Sequence, residues 1–365
     1  MNFSGSYEPS DVTFLLKPLA GVAFVGVHDK EALIQSGLRH YSEMLTPEQL
    51  PSARYLEVYH DACARNLTRM ARDCLTLAGL IAARRAGPVT LVSLARAGTP
   101  VGVIVQRLLT GIFDRDSTHY SVSIIRDRGI DAVALRHILA AGHAPQSLVF
   151  LDGWTGKGVI SRELAASVAR FNTAHGVAID SGLYVLADLA GSAACAASNE
   201  DYLIPSSILN ATVSGLVSRT VLNDAIGAND FHGCVYYREF EAHDQSRQFA
   251  DAVTARAVAL AAALAIERPA VQPAAQERAQ AVSRAYLAAA QARYGIDDAN
   301  LIKPGIGEAT RVLLRRCPRL LVVRDAALDD VRHLILLAQE KSIPVEIDRE
   351  LPYYAVSLIR SAIDG

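Results

Sequence analysis

An acid at the tip of an apolar run, followed closely by a hydroxyl, glycines and a lysine, is a combination suited to gripping a sugar phosphate. This chain carries one at Leu148-Val149-Phe150-Leu151-Asp152, continued by Gly153-Trp154-Thr155-Gly156-Lys157-Gly158. Backbone N–H groups of such a turn, and of the helix that follows it, present positive potential to a phosphate. Gly156 and Gly158 allow close approach. Asp152 can hold Mg²⁺ or accept hydrogen bonds from sugar hydroxyls. Two other phosphate motifs fail here. A Walker loop needs Gly at 151 and Ser or Thr at 158, where Leu151 and Gly158 stand. A dinucleotide G-x-G-x-x-G needs Gly at 161, which is Ser161.

Two further glycine-containing segments follow apolar runs. Arg96-Ala97-Gly98 comes after Val89–Leu94, and Arg96 has the fork geometry to pair with two phosphate oxygens. Arg126-Asp127-Arg128-Gly129 comes after His119–Ile125 and reads either as a mobile cover carrying Arg126 and Arg128 or as an exposed charged turn. Near the C-terminus, Gly305-Ile306-Gly307-Glu308-Ala309-Thr310-Arg311 opens a helix. Arg311, Arg315, Arg316 and Arg319 follow with no acid between them, a local pattern suited to nucleic-acid phosphates.

The elements that position these residues follow from periodicity. Apolar runs at Val89–Leu94, His119–Ile125, Leu148–Leu151 and Leu183–Ala187 alternate with helical stretches at Pro100–Leu109, Asp131–Ala141 and Val159–His175. This alternation predicts an α/β fold, a parallel sheet covered by helices on both faces, with ligands at the carboxyl ends of the strands. A long helix is expected over Tyr59–Arg85, and short strands at Gly21–Val27 and Asp201–Pro205. The Pro-rich stretch Arg268–Pro273 reads as a linker before a helix over Ala274–Tyr294. A small α/β unit then follows, with helices at Gly307–Arg316 and Leu328–Lys341 and strands at Arg319–Val323 and Pro344–Ile347. Four segments result: an irregular N-terminal part (1–55) that could form a hood, a main domain (56–266), a linker and helix (267–300), and a C-terminal unit (301–365).

Composition narrows the field. A net charge of −2 over 365 residues offers no global attraction for nucleic acid or anionic membrane, so such a partner needs a local patch. The N-terminus lacks the basic and apolar segments of a secretory signal, and no long uncharged apolar run occurs, so a cytoplasmic protein without a membrane partner is expected. Five scattered cysteines without a C-x-x-C pair argue against a disulfide scaffold or a structural zinc site.

The run ending at Asp152 with Thr155–Gly158 is similar to the signature of type I phosphoribosyltransferases. Ala95-Arg96-Ala97-Gly98 resembles that family's pyrophosphate loop. The resemblance implies 5-phosphoribosyl 1-diphosphate as donor, Mg²⁺ as cofactor and a base-like small-molecule acceptor. In it Thr155, Gly156, Lys157 and Gly158 hold the 5′-phosphate, Ala97 and Gly98 join Arg96 at pyrophosphate, and Asp152 binds ribose or metal. Gly153 stands where the family has a second acid. The C-terminal turn resembles that of the Pelota-like RNA-binding domains, with Gly305, Gly307, Glu308 and Arg311 expected at RNA and Gly307 replacing the usual Asn. The combination resembles a bacterial family of tellurite-resistance and stress gene clusters, also called cysteine protease StiP. No Cys–His–Asn framework is evident in this chain, although Cys234 follows His232-Gly233. Three functions stay open: a transferase, a silent phosphoribosyl-binding sensor and a thiol hydrolase. A second copy of the chain is a further candidate partner.

Overall fold

The computed structural model describes residues 3–263 and 273–360. The strands are β1 (Thr13–Leu15), β2 (Lys17–Pro18), β3 (Val89–Ala95), β4 (Ser117–Ile125), β5 (Gly129–Ile130), β6 (Leu148–Thr155), β7 (Leu183–Asp188), β8 (Cys195–Ser198), β9 (Gly233–Cys234), β10 (Ile302–Pro304), β11 (Pro318–Val323), β12 (Val345–Ile347) and β13 (Ala355–Ile359). The helices are α1 (Val27–Gln35), α2 (Ala53–Arg84), α3 (Gly98–Gly111), α4 (Ala132–Ala140), α5 (Val159–His175), α6 (Ser246–Ala263), α7 (Pro273–Tyr294), α8 (Ile306–Arg315) and α9 (Arg332–Glu340).

The main sheet has the order β1-β4-β3-β6-β7-β8, all parallel, with the two-residue β5 antiparallel on β4. Its strands are buried on both faces, and β6 and β7 are largely apolar on each, whereas β4 sets His119, Ser121 and Ser123 on one buried face. Leu91, Val149, Leu151, Tyr184 and Leu186 pack with α2, α3 and α6, while Val92, Leu94, Phe150, Leu183 and Val185 pack with α4 and α5. Period-two alternation therefore feeds two separate apolar layers. The chain runs from β3 outward to β4, then returns across β3 to β6, so the strand order reverses between β3 and β6. In open α/β sheets that reversal opens a crevice at the strand ends.

The second sheet, β10-β13-β11-β12, is mixed, with β13 antiparallel to both neighbours. Helix α7 covers one face, where Ala290 and Tyr286 meet Val322, Val356 and Leu358. The other face belongs to the main core. Ile306, Leu313, Val323 and Leu334 pack in one continuous cluster with Met70, Leu77 and Trp154. The C-terminal unit is thus seated on the main sheet.

Several expected boundaries differ. The strand read over Leu148–Leu151 continues to Thr155, because Trp154 and Thr155 pair with Ala187 and Asp188 of β7. Gly21–Val27 forms no strand: Phe24 makes an isolated bridge to Leu45, and α1 starts at Val27. Asp201–Pro205 also forms none. Its carboxylate, Asp201, accepts from the Ile306 and Tyr354 N–H groups and ties the loop to the C-terminal unit instead. The short strands β1, β8, β10 and β13 carry no periodic signal long enough to be read. The break at Arg268–Pro273 lies outside the described residues, apart from Pro273, where α7 begins.

Candidate functional site

Asp152 and Arg96 stand at the two strands that flank the reversal. Register places Ser93 beside Leu151, so the β3 and β6 tips lie side by side. The Ala95–Arg96 peptide is cis. Gly98 opens α3 against β6 so closely that a Cβ there would sit 2.6 Å from the Leu151 carbonyl oxygen. Asp152 is buried within β6, one residue beyond the last pairing with β3, and Gly153 N–H donates to its Oδ1 at 2.8 Å. Burial raises its carboxyl to about 6, against the opposing pull of Arg311.

Beyond Thr155, where β6 ends, the chain makes the tight turn expected of a phosphate grip. Gly158 N–H donates to Thr155 Oγ1 at 3.1 Å, and Gly158 takes a φ of +72° as the residue leading into α5. No side chain caps the start of α5, so its free N–H groups remain for a ligand. Lys157 Nζ donates to the Ala299 carbonyl, and burial, reinforced by Lys303, lowers its ammonium to about 7.

The C-terminal turn lies directly over this grip. A Cβ on Gly156 would fall 2.7 Å from the Pro304 carbonyl oxygen and 3.1 Å from Glu308 Cγ. A Cβ on Gly307 would fall 2.4 Å from the Trp154 ring. The Arg311 guanidinium stacks 4.4 Å from the Trp154 ring centroid and pairs with Glu308 at 2.7 Å. Burial pushes Glu308 upward, but Arg311, Lys303 and Lys157 outweigh it and hold the carboxyl below its usual value. Two motifs far apart in sequence therefore form one cleft. Gly307, where related turns carry Asn, is explained by Trp154: only a residue without a side chain lets the backbone approach the indole this closely.

Two connected cavities fill the cleft. One of ≈ 780 Å³ is lined by the Thr155–Gly158 turn, Arg126, Lys303 and Glu308. Another of ≈ 170 Å³ is lined by Arg96, Ala97, Asn210, Arg219 and Arg315. Asp152, Trp154, Tyr41 and Arg311 border both. The turn at 126–128 spans three residues between β4 and β5, too short to fold across the cleft. Its Arg126 reaches the larger cavity from the rim, with its N–H on the Tyr41 hydroxyl, whereas Arg128 pairs with Glu43. From the N-terminal segment, Tyr41 closes the opening and Glu31 braces Arg316 through two bonds of 2.7 Å.

Sequence reading gives two of these residues other roles: Arg219, a polar group near a plausible strand end, reads as structural, and Arg315 reads as part of a basic run for nucleic-acid phosphates. Arg219 sits in the Gly/Ser/Asn-rich stretch 206–243, where no period marks it, and Arg315 looks like one basic residue among several. Asp188, another polar residue near a strand end, uses its carboxylate to accept from Ala190 and Ala193 N–H groups and shapes its own loop.

The fold and cleft define a two-unit α/β protein in which a C-terminal unit roofs the carboxyl edge of a parallel sheet. A family model described as tellurite-like stress resistance cysteine protease StiP matches residues 5–254, and one for the PELOTA RNA binding domain matches 281–361. The chain belongs to the StiP family. A relative from Acinetobacter baylyi, "Cysteine protease StiP", is 40% identical over 375 residues, covering 100% of this chain and 96% of that protein. Among solved structures, a hypoxanthine phosphoribosyltransferase from Trypanosoma cruzi bound to IMP aligns at 12% identity and a TM-score of 0.26, over 53% of this chain and 91% of the other. No described helix is long and apolar enough to cross a membrane.

Proposed function

We propose that the cleft binds 5-phosphoribosyl 1-diphosphate and transfers its phosphoribosyl group to a base-like acceptor. The observation that carries this reading is the convergence of Asp152, the Thr155–Gly158 turn and Arg96 on one crevice at the sheet's reversal point. The Thr155–Gly158 amides and Lys157 hold the 5′-phosphate, and Asp152 faces the ribose. The acceptor nitrogen bonds to the anomeric carbon as the bond from that carbon to the pyrophosphate oxygen breaks, and the proton shed by the nitrogen leaves to water. Positive charge develops on the sugar and negative charge on pyrophosphate, so positioning and neutralisation supply most of the rate.

Mg²⁺ fits this arrangement in one mode. No group of three His, Cys, Asp or Glu side chains able to hold a metal occurs among the described residues. Mg²⁺ in phosphate sites, however, commonly takes one or two carboxylates and completes its shell with water and ligand phosphates. Asp152, buried with its carboxyl raised, is the residue that would hold it there. When bound, the ion would neutralise the leaving diphosphate.

A thiol-hydrolase reading needs a cysteine activated by a neighbouring imidazole. Burial pushes the Cys234 thiol up to about 12, and the nearby His232 ring bonds Ser123 Oγ at 2.8 Å. Cys317 does lie 3.7 Å from His28 Nδ1, but burial and Glu31 raise its thiol as well. We therefore favour the transferase. The single acid at Asp152, with Gly153 beside it, favours a second reading: a phosphoribosyl-binding sensor without turnover. As for RNA, the C-terminal residues Gly305, Gly307, Glu308 and Arg311 turn inward, which supports a ligand role for them ahead of an RNA role.

Titration calorimetry with the donor and Mg²⁺ tests the binding. Affinity lost in Asp152→Ala supports the reading, and absence of heat with the native chain overturns it. Pyrophosphate release on adding candidate bases separates the transferase from the sensor.

A further inference from the structure

The smaller cavity carries more positive charge than its own residues neutralise. Three guanidiniums that line it come from separate parts of the chain. Arg96 donates to the Val217 carbonyl at 2.8 Å and pairs with Glu48 at 2.6 Å. Arg219 donates to the carbonyls of Tyr41 and Met44. Arg315, from α8 of the C-terminal unit, donates through Nε to Asn210 Oδ1 at 2.9 Å, the same oxygen that accepts from Arg96 at 3.1 Å. Neither Arg219 nor Arg315 forms an ion pair with a carboxylate among the described residues. Arg311 completes the lining and is already neutralised by Glu308. Counting Glu48, Glu308 and Asp152 as ionised, four guanidiniums still face three carboxylates.

A partly buried guanidinium held only by neutral oxygens is costly unless an anion joins it. Arg315 shares its amide oxygen with Arg96, whose carboxylate partner is Glu48, so the two guanidiniums repel each other, and a planar fork presents paired N–H donors to phosphate-type oxygens. Burial, with Arg96 and Arg316 adding repulsion, lowers the Arg219 guanidinium to about 10 against the pull of Tyr41 and Glu48, and burial with Arg96 lowers Arg315 well below its usual value against the pull of Glu48. The arrangement is that of a site whose counter-ion is the ligand.

We infer that Arg96, Arg219 and Arg315 form a diphosphate site that is complete only when the C-terminal unit is docked, with Arg315 contributed by that unit. The cavity of ≈ 170 Å³ opens toward Asp152, so a diphosphate there lies at the opposite end of the cleft from the Thr155–Gly158 turn. The inference rests on the proposed donor for the identity of the diphosphate, while the charge imbalance stands without it.

The test uses the full chain and inorganic pyrophosphate, followed by calorimetry and thermal melting in the native protein, Arg315→Gln and Arg219→Gln. The native chain should bind pyrophosphate and gain Tm. Each variant should bind at least about tenfold more weakly, the loss of one charge-assisted contact. Without ligand, each variant should melt at or above the native temperature, because an uncompensated charge has been removed. That second readout separates a lost site from a lost fold. Native-like affinity in Arg315→Gln, or no pyrophosphate binding by the native chain, overturns the inference. Inorganic phosphate binding as tightly as pyrophosphate would also overturn the assignment to a diphosphate. Pyrophosphate binding without any transfer reaction would leave the inference standing and overturn the transferase.

Discussion

Arg311 stacks its guanidinium 4.4 Å from the centroid of Trp154 while donating to Glu308 at 2.7 Å, and so joins the C-terminal unit to the end of β6, next to the Thr155–Gly158 turn. Trp154 is the single tryptophan of the chain, which makes its emission a direct report on this junction. Arg311→Ala removes the stack and leaves Glu308 unpaired. The expected result is a loss of about 1–3 kcal/mol and a red-shifted Trp154 emission. Emission unchanged from the native chain would show that the junction does not depend on the stack.

Gly307 should tolerate no side chain. A Cβ 2.4 Å from the indole must displace either Trp154 or the turn, at a cost of about 1–3 kcal/mol for Gly307→Ala. Gly307→Asn, which restores the residue usual in Pelota-like turns, should unseat the C-terminal unit. Limited proteolysis between the two units, faster in Gly307→Asn than in the native chain, is the measurement. Equal cleavage rates would contradict it.

Donor affinity should have a pH window set by two groups. Asp152 must be ionised to hold Mg²⁺ or accept from ribose, so affinity should fall as pH drops through about 6. Lys157 must be protonated to neutralise a phosphate, so affinity should fall as pH rises above about 7, by up to tenfold per unit. Calorimetry across pH 5–9 is the check, and Lys157→Ala should abolish the alkaline limb alone.

Asp152 also affects stability, with a definite sign. Its folded value near 6 lies above the ordinary 3.8, so the folded chain disfavours the charged form. Above pH 6 this costs on the order of 3 kcal/mol, and the cost disappears below about pH 4, where the acid is protonated folded or unfolded. Ligand-free Asp152→Asn should therefore be more stable than the native chain at pH 8, with the gap closing toward pH 4. Urea melts at both pH values decide it; a gap that widens on acidification would reverse the argument.

The buried thiols should be inert. Cys74, Cys195 and Cys234 are buried, with their thiols raised by that burial. Iodoacetamide at pH 7.5 should leave all three unmodified in the folded chain, and Cys234→Ser should not change donor binding. Rapid alkylation of Cys234 would revive the thiol-hydrolase reading.

Much of this molecule was legible before its structure. The central strands and helices were found because long apolar runs and 3.6-residue periods are local properties. α5 falls on the residues the pattern outlines, Val159–His175. Both glycine-containing turns, Thr155–Gly158 and Gly305–Arg311, were also visible as motifs. Their meeting was not, because it depends on what Gly156 and Gly307 lack, and the absence of a side chain leaves little trace in a periodic pattern. The one available clue was Gly307 itself, a departure from its motif that makes sense only beside Trp154. Arg219 and Arg315 were noticed, one as structural and one as part of a basic run, but their place in the cleft was not, because a cation's value lies in its distance from the nearest carboxylate.

The shared core from Met70 and Leu77 through Leu313 and Leu334 has a consequence for how such chains diversify. The hydrogen bonds of the main sheet are all made within that sheet, while the roof brings its own cleft-lining arginines, Arg311 and Arg315, and its own indole-matched glycine, Gly307. Replacing the roof wholesale, with the apolar face conserved, would hand the cleft a new chemical preference in one recombination event. The lining of this cleft can be inherited as a cassette.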